Sequence, residues 1–475
     1  MFFSPGYAGG ILAHNRNLAE GLAVEGALYV ASQGEARFVP DPPVAVVNGS
    51  FEGYSGNTVQ GYRLQESPGV ISFVDYNVAH GGRVSLRFEN FTANPYGHGR
   101  IMQEIPVHPN RCYRVTAWVK TQDLEPAAAF RIQVLTANGQ ALAPWDPKMT
   151  PTTDWRKLTF GFNSGKNEQI RLYAGIWGAK SGKFWIDDWQ IEEVGLINVL
   201  RRGGTPIRVT GASGSAAYLE GVDFASITDP QLNFRFDHDA SPIRLLSGSR
   251  ISEGEWLRVS YYHGMSINDG QVSACMSEPE TLEILARNAR LLYELLAPKK
   301  YMLSIDEIRS GGSCEACKRR NMTMGQVLGD FLTRGISAIK MNNPDAEVFA
   351  WSDMLDPNHN AHGDYYLVDG DFAGSWLNIP GDLRIVCWYY AKRWESLKFF
   401  AERGFKTLSG AYYDGDDLSN PKGWLEALRS TPGALGIMYT TWENRYGLLA
   451  DFGDLVSSPQ EGPKRPVTSR RDRKP

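Results

Sequence analysis

The segment YMLSIDEIRSGG, residues 301–312, is an apolar strand pattern that ends on two adjacent carboxylates, Asp306 and Glu307, followed by Arg309 and a glycine pair. Cleaving a glycosidic bond needs one carboxylic acid to protonate the departing oxygen and a second group to attack or stabilise the oxocarbenium-like centre. Neighbouring carboxylates raise one another's pKa, which keeps one of them protonated near neutral pH. Adjacent residues inside a strand point to opposite faces, but at a strand end the backbone can turn both to one side. The plainer reading of the same residues is a pair that caps the next turn and bonds Arg309.

Two further clusters carry metal-ligating side chains. WSDMLDPNHNAH, residues 351–362, packs Asp353, Asp356, His359 and His362 into ten positions. It lacks the helical i, i+4 spacing of a zinc protease and is rich in Asn and Pro, so it reads as a loop lining a substrate. A metal-dependent hydrolase using Asp353, His359 and His362 is the competing reading. CEAC at Cys314–Cys317 is half of a zinc motif, and Cys275 precedes the next helix. A structural Zn2+ on Cys275, Cys314, Cys317 and a fourth ligand such as His263 is one reading; free thiols or a short disulfide are preferred to it. No P-loop, GxGxxG, GxSxG or HExxH sequence is present.

The carboxylate pair needs elements to position it. From Trp256 onward, strands WLRVSYYH, YMLSIDE, EVFAWSD, RIVCWYY, KTLSGAYYD and ALGIMYTTWE alternate with helical stretches at 279–296, 324–341, 393–403 and 420–429. Such alternation predicts βαβ units and a parallel sheet. The strands end on His263, Asp306–Glu307, Trp351 and Asp353, Trp388–Tyr390, Tyr412–Asp414 and Trp442–Glu443, and a (β/α)8 barrel would gather those ends on one face. Six strands fall short of eight. The Gly-rich start FFSPGYAGGILAHNRNLAEG looks like a loop after an earlier barrel strand, so the barrel is expected to be incomplete at its N-terminus and interrupted by the module that follows.

That module, residues 48–195, is strand-rich with turn signals every 8–12 residues and period-two alternation, the pattern of an antiparallel sandwich. The predicted organisation is an N-terminal segment 1–47 contributing to the barrel, a β-sandwich jelly roll 48–195, a small β linker 196–255, a (β/α) barrel 256–455 and a disordered tail 456–475. NGSFE at 48–52, SLRFEN at 85–90, YRVTAWVK at 113–120, DWRKLTFGF at 154–162 and FWIDDWQIEEV at 184–194 occur in the order seen in carbohydrate-binding modules of the family 4, 9 and 22 kind, which the segment resembles. The resemblance implies a structural Ca2+ at Glu52 and Asp188, a chemistry that suits hard carboxylate oxygens. Ordinary strand-end polar residues are the plainer reading of the Asp187–Asp188 pair.

The Asp-Glu pair, the Trp-x-Asp of the next strand and the final Trp-Glu strand resemble the barrel of family 20 glycoside hydrolases, the β-N-acetylhexosaminidases. The resemblance implies Glu307 as acid/base and Asp306 as the group orienting the substrate's 2-acetamido nucleophile. It also implies Trp351, Trp388 and Trp442 as sugar-pocket walls, Tyr412 or Tyr413 as the phenol, Glu443 as a hydroxyl-binding carboxylate, and Asp353 and Asp414 as further lining. The family's His-x-Gly-Gly is replaced by MLSI, so the expectation is a glycosidase barrel rather than a hexosaminidase. A retaining enzyme with Glu307 as acid/base and Glu443 or Asp414 as nucleophile is the alternative.

Composition supports a saccharide partner. Aromatic residues make up 12% of the 475, including 13 Trp, and flat rings stack on the apolar faces of sugars. Net charge is −4 without a basic stripe, which argues against nucleic acid. The basic run 464–474 sits in the Pro-containing tail. No apolar run reaches the ~20 residues of a membrane span. The expected function is hydrolysis of β-linked oligo- or polysaccharide without a catalytic cofactor, in an extracellular or periplasmic setting although no signal-peptide pattern begins the chain. The alternative is a non-catalytic glycan-binding protein with a degenerate barrel.

Overall fold

The computed structural model describes residues 4–214, 216–268 and 270–457, so the basic run and most of the expected tail lie outside the described residues. The chain divides into two compact units, the first reaching residue 347 and including 354–380, the second comprising 348–353 and the residues from 381 on.

In the first unit, residues 64–193 form two five-stranded antiparallel sheets. One runs in the order Ala141–Trp145, Phe130–Thr136, Gln169–Trp177, His98–Pro106, Leu64–Gln65; the other in the order Thr153–Asn163, Cys112–Glu125, Ser181–Glu193, Ser85–Phe88, Ser72–Asp75. Period two in the sequence becomes period two in burial: FRIQVLT alternates buried and half-buried along its length. Inward residues such as Phe88, Phe130, Val134, Phe184 and Ile186 meet between the sheets, with Phe88 and Phe184 stacked at 4.7 Å.

The chain enters and leaves this sandwich through a six-stranded antiparallel sheet. Leu22–Ser32 pairs with Trp256–His263, and Glu35–Phe38, Arg208–Gly211, Ala217–Tyr218 and Ile243–Arg244 extend the sheet on both sides. The N-terminal segment thus pairs with the strand after Trp256, as expected of an interrupted domain, but the pairing is antiparallel. Tyr29 and Tyr261, one on each central strand, clamp the sandwich exit: the Leu196 N–H donates to Tyr29 Oη (2.9 Å), and Tyr261 Oη donates to the Gly195 carbonyl (2.5 Å). At the entrance, Arg111 pairs with Glu193 (3.0 Å) and donates to the Gly26 carbonyl, with the Glu193 side chain 1% exposed.

Helices Pro279–Leu296 and Met324–Asn342 follow in the same unit. Pro279 occupies the first helical position, where its missing N–H costs nothing. Thr323 and Gln326 close a reciprocal capping box on the second helix. In the second unit, Glu347–Trp351, Arg384–Cys387, Thr407–Tyr412 and Ala434–Thr440 pair in parallel, with helices Arg393–Ala401 and Ser419–Arg429 as crossovers.

Two expectations are corrected here. A closed eight-stranded barrel is not formed among the described residues. Trp256–His263, read as a barrel strand, is instead central to the antiparallel sheet, and the short strands of 196–255, read as a small β linker or subdomain, join that same sheet. Alternating apolar residues suit either pairing direction, and the partner Leu22–Ser32, more than 200 residues earlier, decides. No helix among the described residues is long and apolar enough to cross a membrane.

The buried ion pair at the sandwich entrance gives a direct test. Arg111→Ala leaves the Glu193 carboxylate buried without its partner, a defect that costs about 3–5 kcal/mol. The variant should unfold at lower urea than wild type, followed by tryptophan fluorescence.

Candidate functional site

The strand before the carboxylate pair is short, Lys300–Leu303, and residues 304–309 run on without regular hydrogen bonding. Glu307 adopts a left-handed backbone (φ 50°), which turns consecutive side chains out of strand alternation. Ile305 and Ile308 anchor the segment in the interior. Against it lies the N-terminal stretch, held by backbone bonds from Ala8 N to Val272 O (3.0 Å), Ala274 N to Pro5 O (2.7 Å) and Glu20 N to Ser273 O (2.7 Å). Gly6 makes this approach feasible: a Cβ there would sit 2.2 Å from the Asp306 carbonyl oxygen.

Three segments therefore meet at Glu307. Tyr7 Oη donates to one carboxylate oxygen, and Arg309 pairs with the other at 2.8 Å. Arg309, with its side chain 5% exposed, also donates to Gln271 Oε1 and lies over the Tyr366 ring at 5.1 Å. Gln271 in turn donates to the Glu307 and Gly6 carbonyls (2.6 and 3.0 Å). Burial, reinforced by Glu307, pushes the Tyr7 phenol above its ordinary range, so it stays a donor. Burial works against the Arg309 charge, but Glu307 outweighs it and the guanidinium pKa is raised.

Asp306 is treated differently. Its Oδ1 is buried without a hydrogen-bond partner. Burial, with Glu307 adding repulsion, pushes its carboxyl up to about 6. Of the two acids, Glu307 faces two donors, Tyr7 and Arg309, whereas Asp306 carries the buried, shifted carboxyl.

The strand-end residues expected around a sugar form a group within the second unit. Trp388 Nε1 donates to Asp353 Oδ1 (3.3 Å) and its ring stacks near Tyr413 at 6.0 Å; Tyr413 and Trp351 each approach Trp442, at 6.2 and 6.4 Å. Tyr413 and Trp442 are exposed, whereas Trp351, Asp353 and Tyr412 are buried. Tyr412 stacks on Tyr439 at 4.3 Å. Asp414 accepts from the Thr441 hydroxyl and from the Trp442 and Glu443 N–H groups; these bonds overcome burial and hold its carboxyl below the usual range. It anchors the 441–443 turn, and Glu443 pairs with Arg445 at 2.7 Å.

Other ligand expectations sort by geometry. Glu52 and Asp188 both grip the 80–84 loop of the sandwich. Glu52 Oε1 accepts from the Arg83 and Val84 N–H groups (2.5 and 3.2 Å), and Asp188, on a bulged stretch of its strand, meets His80 Nδ1 at 2.6 Å. Both carboxylates thus lie against the same loop of the sandwich. His263, the suggested fourth zinc ligand, lies apart from the cysteine trio, beside Asn163 (3.0 Å) and Cys112 (3.8 Å), and burial lowers its pKa to about 4. Asp356 closes a turn on Asn358, and His362 turns to the Gly363 carbonyl; with His359 they do not converge as metal ligands.

One face went unnoticed in the sequence. On the outer side of the sheet containing Gln169–Trp177, Tyr173 and Trp177 flank Gly175, with ring centres 6.2 Å apart; Arg100 lies over Trp177 (5.8 Å), and Gln133 stands opposite Tyr173. The signal was present in QIRLYAGIW, where Tyr173, Gly175 and Trp177 alternate on one face. The outer face of the other sheet is more covered: His80 lies flat on Trp118 at 3.8 Å, and Trp185 is 2% exposed.

Residues 44–180 match the family model of a carbohydrate binding domain. Similar solved structures include a family 16 carbohydrate-binding module (18% identity, 31% of this chain and 97% of that one, TM-score 0.23) and a xylan-binding family 22 module from Paenibacillus barcinonensis (17%, 34% and 98%, 0.23). A cyclase from Fischerella sp. TAU is also similar (15%, 33% and 96%, 0.26). No curated protein matches the chain. On the family match, the sandwich is a carbohydrate-binding module.

The raised Asp306 carboxyl has a stability consequence. The folded state binds this proton more tightly than the unfolded one, so stability is undiminished below about pH 4 and falls as pH rises toward and through about 6. Asp306→Asn removes the penalty. The variant should match wild type at pH 4 and be more stable at pH 8, by on the order of 1–3 kcal/mol, in parallel thermal melts.

Proposed function

We propose that this chain binds β-linked oligo- or polysaccharide on the Tyr173–Trp177 face of its sandwich and hydrolyses glycosidic bonds at the Asp306–Glu307 pair. The binding half rests on the family match of residues 44–180 together with an aromatic pair bracketed by Arg100 and Gln133. A tilted pair of half-buried rings offers two stacking planes. Guanidinium and amide groups beside the rings supply the directional hydrogen bonds that select among sugars.

The hydrolytic half is carried by the buried, unpartnered Asp306 Oδ1 beside a carboxylate held by Tyr7 and Arg309. Asp306 delivers its proton to the departing glycosidic oxygen. Glu307 supplies negative charge to the oxocarbenium-like centre, with Tyr7 and Arg309 fixing its position. A polysaccharide substrate accords with the extracellular or periplasmic setting expected above. The second reading, a glycan-binding protein without turnover, is favoured by one observation: the strands after Trp256 do not close an eight-stranded barrel among the described residues.

Binding is tested by affinity electrophoresis of the full chain in gels containing soluble β-glycans. Trp177→Ala and Tyr173→Ala should each weaken retardation at least about tenfold, some 1.4 kcal/mol, while Trp118→Ala leaves it intact. Loss in Trp118→Ala alone would move the site to the opposite sheet.

Turnover separates the remaining readings. Asp306→Asn should lose about 10²–10⁴-fold in kcat on substrates with poor leaving groups, and much less on activated aryl glycosides, whose departure needs no proton. Glu307→Gln should slow both. The reverse pattern returns the acid to Glu307, and binding without turnover by wild type establishes the non-catalytic reading.

A further inference from the structure

We propose that Glu20, Cys275, Cys314 and Cys317 hold a structural Zn2+ ion. The four come from three segments separated by up to 297 residues, yet their ligand atoms all lie within 4.8 Å of one another. The sulfur of Cys275 is 3.5 Å from that of Cys314 and 3.7 Å from that of Cys317; Glu20 Oε2 is 3.9 Å from the Cys317 sulfur. Tetrahedral zinc with Zn–S bonds of about 2.3 Å sets its sulfurs roughly 3.8 Å apart, close to the spacing of this cluster. None of the five cysteines of the chain forms a disulfide.

All four side chains are buried, none more than 5% exposed. A buried carboxylate among three thiols is an expensive arrangement unless a cation satisfies it. Thiolate and carboxylate donors in a four-membered tetrahedral set select zinc over Ca2+ or Mg2+, which take oxygen ligands alone. On binding, the three thiols release their protons to solvent, and three thiolates with one carboxylate leave the site at −2. Arg202, its side chain 6% exposed, offsets part of that charge: its Nη1 lies 3.6 Å from the Cys314 sulfur and pairs with Glu278 at 2.6 Å. Its other nitrogens donate to the Asn17 and Ala19 carbonyls beside Glu20. The Cys314 N–H donates to Glu20 Oε1 at 3.4 Å, orienting the carboxylate. With four protein ligands the site is closed, which marks a structural rather than a catalytic ion.

The ion would join the same three segments that build the carboxylate site. Glu20 continues the stretch carrying Tyr7, Cys275 follows Gln271, and Cys314 and Cys317 follow Glu307 and Arg309. The zinc reading does not depend on the hydrolytic one, because metal content and backbone protection report it without any substrate.

The test uses the full chain purified with reductant and without chelator. Native mass spectrometry and metal analysis should find one zinc per chain, and Co2+ replacement should give a tetrahedral thiolate spectrum with sulfur-to-metal charge transfer. Cys275→Ser and Cys317→Ser should lose the metal, Cys112→Ser should keep it, and Glu20→Gln should bind at least about tenfold more weakly. If the ligand variants do not fold, the wild-type measurements decide. Chelation should raise hydrogen exchange in 5–20, 271–278 and 306–317 before the sandwich. Wild type that holds no stoichiometric zinc after reconstitution, whether metal-free or carrying another metal, overturns the proposal. So does metal that survives Cys275→Ser and Cys317→Ser in folded protein.

Discussion

The pairing of Leu22–Ser32 with Trp256–His263 is the constraint on which the first unit depends. It brings together strands more than 200 residues apart, and the whole sandwich becomes an excursion between them. The cost of closing so long a loop grows only slowly with its length, but it must be met by contacts that exist nowhere else. Tyr29, Tyr261 and the Arg111–Glu193 pair meet it at the excursion's two ends, where hydroxyls, a guanidinium and a carboxylate satisfy chain groups that have left regular structure. Once those ends are closed, the sandwich can pack its own core independently of what precedes and follows it.

The same pairing continues outward as the bonds between residues 5–20 and 272–275. Along this strut lie Tyr7, Glu20, Gln271 and Cys275: Tyr7 reaches the Glu307 carboxylate, Gln271 the Glu307 backbone carbonyl and the Arg309 guanidinium, and Glu20 and Cys275 belong to the thiol cluster. Gly6 is the narrow point, since any side chain there would collide with the Asp306 carbonyl. Two chemically distinct clusters thus share one piece of scaffolding, and a disturbance of the thiol cluster would be felt at Glu307 through backbone rather than through side chains.

The two adjacent carboxylates differ in how their oxygens are met. A cap satisfies the groups it touches, and Glu307 bonded to Tyr7 and Arg309 alone would read that way. Asp306 differs in that its Oδ1 is buried without a partner, which carries a desolvation cost. The half-buried rings of the sandwich face, Tyr173 and Trp177, follow a different logic: they are carried by a strand paired on both sides within its sheet.

Much of the local structure was legible in the residues. Period two marked the sandwich strands within 48–195, and the helix at 279–296 was readable from its spacing and its leading Pro. The carboxylate pair and the three cysteines were readable by type. Each of these depends on a few neighbouring residues and on backbone geometry, which sequence carries directly. Tertiary structure alone decided that Trp256–His263 pairs antiparallel, that Tyr412 and Trp351 are buried, that Tyr7 and Gln271 reach Glu307, and that Glu20 rather than His263 completes the thiol cluster. An alternating strand is equally fit for either neighbour direction, and a lone Glu or Tyr in a Gly-rich stretch carries no mark of a partner nearly 300 positions away. Those outcomes follow from which surfaces meet, and that is settled only when the whole chain buries its apolar area at once.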